Sequence, residues 1–316
     1  MALPSLRQLG YLVALAEHLN FHAAAQAQFV TQSTLSAGIK ELESVLGVQL
    51  VERDKRRVRL TAAGEEVAAR ARELLAAAAD LVQAARSGAA PLTGVLRLGA
   101  IPTLAPFLLP QVLPPLRRAH PALKLQLREE LTEPLLERLR SGALDAALIA
   151  LPYDTGDLHV RNLFRDELWL VAREDDPVAQ AKSVAARRLD PRTLLLLEEG
   201  HCLREHAIAA CRPRRGAHAP AVEATSLYTL IQMVESGFGA TLVPEIALRS
   251  GLLAGSRLVA RPFDPPAPAR TIALAARRSS SRLRDVELLA QFILEQRRST
   301  KHGGVAAPRR TTIRES

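Results

Sequence analysis

Thr31-Gln-Ser-Thr-Leu-Ser-Ala-Gly-Ile-Lys-Glu-Leu-Glu-Ser-Val-Leu-Gly47 is the stretch that decides how the first part of the chain folds. Thr31 suits an N-cap and Gly47 a helix end, so the pattern predicts a helix over residues 32–46. Leu35, Ile39, Leu42 and Leu46 recur at helical spacing and must face a core. Gln32, Ser33, Thr34, Ser36 and Lys40 are left for the other face, as short hydrogen-bonding groups and one cation. Upstream, Leu6, Leu9, Leu12, Val13 and Ala16 mark one side of a first helix, and the Ala-rich run 21–29 reads as a second, with Val30-Thr31 as the turn. Downstream, residues 48–50 and 58–60 read as two short strands joined by a basic hairpin, Arg53, Lys55, Arg56, Arg57 and Arg59 against Asp54. Three helices and a hairpin make a winged helix-turn-helix. Its third helix suits base edges in the major groove and its basic wing suits phosphates, although a charge run of this kind can also be only a solvated turn.

From residue 61 an Ala-rich helix is predicted to about residue 87, with Val67, Ala71, Leu74, Ala78, Leu81 and Ala85 at alternating spacings of four and three. A small winged domain cannot cover such a seam, which therefore predicts pairing with a second copy. Residues 88–94, with Pro91 inside, read as a boundary. Beyond it, short apolar strands alternate with helices, as in a parallel-sheet α/β fold. Strands are expected at 95–101, 124–130, 193–197 and 221–224, leading into helices through Thr103, Thr132, Gly200-His201-Cys202 and Thr225-Ser226. Such junctions line the crevice where open α/β sheets bind ligands; each Thr alone is more often just an N-cap, but together they outline a small polar cleft.

Both cysteines of the chain lie in Glu199-Gly-His-Cys-Leu-Arg-Glu-His-Ala-Ile-Ala-Ala-Cys211. So few cysteines exclude a disulfide scaffold and suggest a reducing compartment, the cytoplasm. Cys202 is expected in a first helical turn, where free amides and the helix dipole favour the thiolate; His201 and Arg204 can assist, while Glu198, Glu199 and Glu205 oppose. Nine residues of helix rise roughly 13 Å, whereas a disulfide needs Cα atoms within about 7 Å. A helical 202–211 segment and a Cys202–Cys211 disulfide are thus mutually exclusive states. The plainer alternative is two small apolar core residues. His201, Cys202 and His206 lack ordinary zinc spacing, and no metal or other cofactor is expected.

The net charge of +9 is unevenly spread: residues 297–316 carry six Lys or Arg and one Glu, whereas residues 1–94 are nearly balanced. Overall charge therefore says little about nucleic acid. No run approaches the ~20 apolar residues of a membrane span, so no membrane partner is expected.

Phe21-x-x-Ala-Ala, Val30-Thr-Gln-Ser-Thr-Leu-Ser36, Leu42-Glu-x-x-Leu-Gly-Val-x-Leu-x-Glu-Arg53 and Leu60-Thr-x-x-Gly64 together resemble the DNA-binding region of LysR-type regulators. Ser33 departs from the proline common there. Gly200-His-Cys-Leu-Arg204 with Cys211, and the stretches Ile101-Pro-Thr103, Glu129-x-x-Thr132 and Arg270-Thr-Ile, resemble the peroxide-sensing OxyR branch. The resemblance implies a DNA-binding domain at 1–60, a linker and dimerisation helix at 61–90, and a two-lobed α/β effector domain at 91–298, similar to periplasmic binding proteins. Its lobes are 95–165 with 268–298, and 166–267; a disordered basic tail follows at 299–316. It implies a transcriptional regulator rather than an enzyme, with double-stranded operator DNA, further copies of itself as dimer or tetramer, and RNA polymerase as partners, and hydrogen peroxide as signal. Gln32, Ser33, Thr34, Ser36 and Lys40 inherit the operator-facing role, and Arg53, Arg56 and Arg57 the wing role. Cys202 becomes the peroxidatic and Cys211 the resolving thiol; Thr103, Thr132, His201 and Arg204 position peroxide, and Arg270 stabilises the thiolate. Two readings stay open beside this one. A LysR-type regulator could bind a small carboxylate-like metabolite in the inter-lobe cleft with the thiols incidental, or the thiolate could serve a thiol peroxidase, which multiple turnover with a reductant would reveal.

Overall fold

The computed structural model of the chain describes residues 3–54, 57–86, 91–186, 189, 194–210 and 223–302. They fall into two compact units, Met1–Ala90 with Glu137–Ala143 and Ser279–Ser281, and the remainder.

In the first unit, α1 (Leu6–His18), α2 (Phe21–Ala27) and α3 (Gln32–Leu46) each begin at a side-chain cap. Ser5 and Gln8 form a reciprocal capping box, Asn20 accepts from the amides of His22 and Ala23, and Thr31 accepts from that of Thr34. Each cap satisfies amides that the first turn of a helix leaves without partners. Leu35, Ile39 and Leu42 are fully buried against Leu12 and Leu15, as the helical spacing requires. Gly38 permits the close approach of α3 to α1, since a Cβ there would stand 2.5 Å from the Tyr11 ring.

The second helix ends two residues earlier than expected, because the chain turns at Phe29, whose φ is +54°. The wing also differs from the sequence expectation. Its strands are β1 (Val51–Asp54) and β2 (Arg57–Leu60), paired antiparallel from Val51↔Leu60 to Asp54↔Arg57. Residues 48–50 are not a strand; instead Glu43 Oε1 accepts from the amides of Leu50 and Val51 and ties the wing to α3. α4 (Ala62–Arg86) follows, started by Thr61, whose hydroxyl donates to Gln49 O and accepts from Gly64 N. Along its predicted seam Ala71 is buried, but Leu74 and Leu81 are 55% and 73% exposed.

The second unit contains β3 (Gly94–Ala100), α5 (Ala105–Ala119), β4 (Leu123–Glu129), the first part of α6 (Thr132–Arg140) and β5 (Ala146–Leu151). They are followed by β6 (His159–Arg173), β7 (Leu196–Leu197), α7 (Cys202–Ala210), β8 (Glu223–Ala224) and α8 (Leu227–Glu235). β9 (Thr241–Pro244), α9 (Glu245–Arg249), β10 (Leu258–Arg261), β11 (Ala269–Ala276) and α10 (Leu283–His302) complete it. The sheet is mixed rather than parallel: β4-β3-β5 run parallel, but β11 lies antiparallel to β5 and β6, and β9 and β10 antiparallel to β6. The long strand β6 serves two sets of neighbours. The first part of β6 pairs with β11 as far as Glu167, and the part from Leu168 onward pairs with β9 and β10. Buried apolar residues cover β5 from Ala146 to Ala150 and β11 from Ile272 to Ala276. β7 and β8 form a short parallel pair, and Leu195 joins it to β9 through the Ala240 carbonyl.

The strand expected at 193–197 is thus only β7, and of that expected at 221–224 only 223–224 lie within the described residues. The expected tail begins later than residue 299, since α10 extends to His302; residues 303–316 lie outside the described residues.

Candidate functional site

Residues from four strand ends meet around Cys202. Beyond β3, Thr103 is buried; beyond β4, Thr132 opens α6; beyond β5 comes Pro152; beyond β7, Gly200 with φ +92° turns the chain so that Cys202 becomes the first residue of α7. This is the carboxyl edge of the parallel strands, where α/β sheets place their ligands. Arg270, from β11, is the largest fully buried side chain here. Its cross-strand partner is Asp166 on β6, at the point where β6 passes from one set of neighbours to the other. Arg270 Nε donates to Asp166 Oδ2 at 3.1 Å, Nη1 to Thr103 Oγ1 at 2.7 Å, and Nη2 to the Thr103 carbonyl at 3.0 Å. The second oxygen of Asp166 accepts from the amide of Ile246 in α9 at 3.0 Å. One buried ion pair therefore holds β11, β6, the β3–α5 junction and α9 together.

Cys202 is a free, buried thiol. The expectation of a lowered pKa is overturned: burial pushes the thiol up, and the Arg270 guanidinium, the Thr132 hydroxyl and backbone N–H groups at the start of α7 pull down without overcoming it. The sequence revealed the helix terminus but not that the sulfur would lie under the sheet edge. His201 is likewise buried, and desolvation lowers its pKa despite Glu198 nearby, so it is neutral rather than cationic near neutral pH. Arg204 donates to the Leu197 carbonyl at 2.9 Å and fastens α7 to β7. Thr132 Oγ1 is buried and makes no hydrogen bond of normal geometry; the group whose ionisation it favours is the Cys202 thiol. Of the residues predicted for this site, Thr103, Thr132, Cys202 and Arg270 come together, and His201 adjoins them. Cys211 lies outside the described residues.

Sequence reading missed two members. Asp166 was hidden in the charged run Arg165-Asp166-Glu167, whose alternation along a strand is the only signal that one carboxylate points inward. His206 is one helical turn beyond Cys202, a spacing that places both on one face of α7.

On α3, Gln32, Ser33, Thr34 and Lys40 are exposed and Ser36 half-buried, all away from the Leu35-Ile39-Leu42 face. Thr31 Oγ1 lies 2.9 Å from Ser33 Oγ and 2.8 Å from Thr34 Oγ1, so the first turn presents a fixed group of hydroxyls. Arg53 and Arg57 belong to β1 and β2, and Arg56 lies outside the described residues. No helix among the described residues is long and apolar enough to cross a membrane.

Comparison with known proteins agrees with this arrangement. Residues 6–65 match the bacterial regulatory helix-turn-helix of the lysR family, and residues 89–298 match the LysR substrate binding domain. The HTH-type transcriptional regulator EstR of Acinetobacter baylyi is 46% identical over 305 residues, covering 95% of this chain and 99% of that protein. A probable hydrogen peroxide-inducible genes activator of Streptomyces viridosporus is 42% identical over 296 residues, 93% of this chain and 95% of its own. Among solved structures, a full-length OxyR variant from Pseudomonas aeruginosa superposes with a TM-score of 0.76 at 38% identity, covering 93% of this chain and 95% of that one. A winged domain joined to a two-lobed α/β unit, matched along nearly its whole length, places this chain in the LysR family of DNA-binding transcriptional regulators, in its OxyR-like branch.

Proposed function

We propose that this regulator senses hydrogen peroxide through Cys202, and that oxidation of the thiol changes how the protein holds its operator. The observation that carries the reading is the buried Cys202 thiol at the start of α7, facing the Thr132 hydroxyl and the field of a fully desolvated Arg270. In the reaction the thiolate attacks one peroxide oxygen, the O–O bond breaks as the S–O bond forms, and the departing hydroxide gains a proton to leave as water. The sulfenic acid is then displaced by the Cys211 thiolate, releasing a second water and leaving a disulfide. Thr103 and Arg204 act in this scheme as supports, one orienting Arg270 and the other fixing α7; His201 and Thr132 line the thiol.

The DNA-facing groups are Gln32, Ser33, Thr34, Ser36 and Lys40 on α3, with Arg53, Arg56 and Arg57 on the wing. The exposed Leu74 and Leu81 of α4 are the face through which two copies pair, with assembly to a tetramer and contact with RNA polymerase following from the family. One equivalent of peroxide is expected to lower the free-thiol count of the reduced protein from two to zero and to alter its operator footprint, while Cys202→Ser leaves both the footprint and the fold unchanged on peroxide addition. A peroxide-induced footprint change that survives Cys202→Ser refutes the reading. A second reading, a small metabolite as effector, draws on EstR, whose similarity exceeds that of the peroxide-named relative. It requires an effector that changes the footprint of the Cys202→Ser protein as strongly as that of the parent.

A further inference from the structure

Among the described residues, the buried His206 Nδ1 lacks a hydrogen-bond partner, while Thr132 Oγ1, without one of ordinary geometry, acts on the Cys202 thiol. Buried polar atoms are almost always paired, so an unpaired imidazole nitrogen beside a reactive thiol needs an explanation. Thr132 acts on the thiol directly, and His206 is four residues along α7, where side chains of one helical face lie about 5–6 Å apart at Cβ. Arg270 exerts its charge on both Cys202 and His206.

The tautomer of His206 follows from its hydrogen bond. Its Nε2 lies 3.3 Å from the carbonyl oxygen of Pro152, which can only accept, so Nε2 carries the proton and Nδ1 keeps a bare lone pair. Arg270, Thr103, Arg204 and His201 are donors or already engaged. Arg270 has only N–H groups to offer, the Thr103 hydroxyl faces Arg270, and Arg204 reaches the Leu197 carbonyl. His201 stands beside Glu198 and the Thr225 backbone. The buried thiol is in its protonated form and needs somewhere to send its proton before it can attack.

We propose that His206 Nδ1 accepts the Cys202 proton and returns it to the leaving oxygen, making His206 the acid–base partner of the peroxidatic thiol. Resting on the peroxide reading, the sequence of events balances without a further reactant. The S–H proton moves to Nδ1, the thiolate takes the near oxygen of hydrogen peroxide, and the O–O bond breaks. The imidazolium then protonates the departing hydroxide to water, leaving cysteine sulfenic acid and neutral imidazole. Burial also lowers the pKa of His206, which keeps the imidazole neutral and ready to accept. The groups that set its titration are Arg270 on β11, Glu205 on α7 and the Pro152 carbonyl after β5.

The test is rapid mixing of reduced full-length protein with hydrogen peroxide from pH 5 to 9, with sulfenic acid trapped by a diketone and read by mass. His206→Gln preserves a donor for the Pro152 carbonyl but has no base. It is expected to slow oxidation of Cys202 about 100-fold at neutral pH, a typical general-base effect, with the deficit shrinking as rising pH ionises the thiol directly. An undiminished rate, or the same deficit at every pH, overturns the proposal. Nitrogen NMR of the histidines in the unsubstituted protein supplies a measurement independent of any variant's folding: a proton on Nδ1 of His206 overturns it as well. A wild-type Cys202 inert to stoichiometric peroxide would instead remove the peroxide reading itself, and this one with it.

Discussion

Arg270 and Asp166 provide the sharpest quantitative test of how the regulatory unit is held together. Both side chains are buried, at 0% and 1% exposure, and their closest approach is 3.0 Å. Removing one charge from such a pair leaves the other in the interior without compensation, at a cost of about 3–5 kcal/mol, while removing both can be nearly neutral. Arg270→Met should therefore destabilise by about 3–5 kcal/mol, and Asp166→Leu by a similar amount. The double variant leaves no isolated charge. It does orphan the Ile246 amide, at about 1–3 kcal/mol, so it should be at least about 3 kcal/mol more stable than the two single effects added together. Trp169, the only tryptophan, sits three residues from Asp166 on β6 and pairs with Val243, so its fluorescence in urea reports this unit specifically. Single effects that simply add would show that the two groups do not depend on one another, and would contradict the view that this pair ties β6 and β11 together.

The winged domain and the histidines provide two further tests. Gln32→Ala or Ser36→Ala should change the preferred DNA sequence, whereas Arg56→Gln with Arg57→Gln should weaken binding to every duplex and flatten its salt dependence by roughly one counterion per lost phosphate contact; equal effects on operator and random DNA in a binding titration would contradict the division. His201 and His206 both have folded pKa values below the ordinary 6.5, so the unfolded chain binds protons that the folded one refuses. Their contribution is fully present above pH 6.5 and is lost as pH falls from there toward the lowered folded values, with a slope of up to about 1.4 kcal/mol per pH unit for each histidine. Urea midpoints that do not fall between pH 6.5 and 5, or that fall as steeply after His206→Gln, would contradict this.

How much was legible in the sequence differs by level. The helical face of Leu35, Ile39 and Leu42, the caps at Thr31 and Gly47 and the meeting of Thr103, Thr132 and Cys202 were all readable, because helix periodicity and strand-to-helix junctions are local properties. The wing strands were misplaced because Leu50 is apolar and extended yet spends its amide on Glu43, a tertiary contact that no local pattern records. The direction of the Cys202 pKa shift was missed for a similar reason. A helix N-terminus favours thiolate wherever it is, but whether desolvation outweighs it depends on Arg270 and the sheet edge closing over the sulfur, residues nearly seventy positions away. The antiparallel strands escaped notice because alternation in β6 and β11 says which residues face inward and nothing about the direction of a neighbour.

The geometry of α7 sets what the proposed Cys202–Cys211 disulfide would require. From Cys202 to Ala210 the helix is continuous, and eight steps of 1.5 Å separate its ends by about 12 Å. The next Cα along a chain is at most about 3.8 Å further on, so Cys211 stays at least about 8 Å from Cys202 while the helix is intact. A disulfide tolerates roughly 7 Å at most. Closing the bond therefore breaks α7, and with it the burial of Leu203, His206 and Ala207 and the Arg204 bond to Leu197. The Asp166, Thr103 and Ile246 links around Arg270 involve no residue of that helix. The site thus joins a helix that a Cys202–Cys211 disulfide would have to break to a buried ion pair that spans β6 and β11.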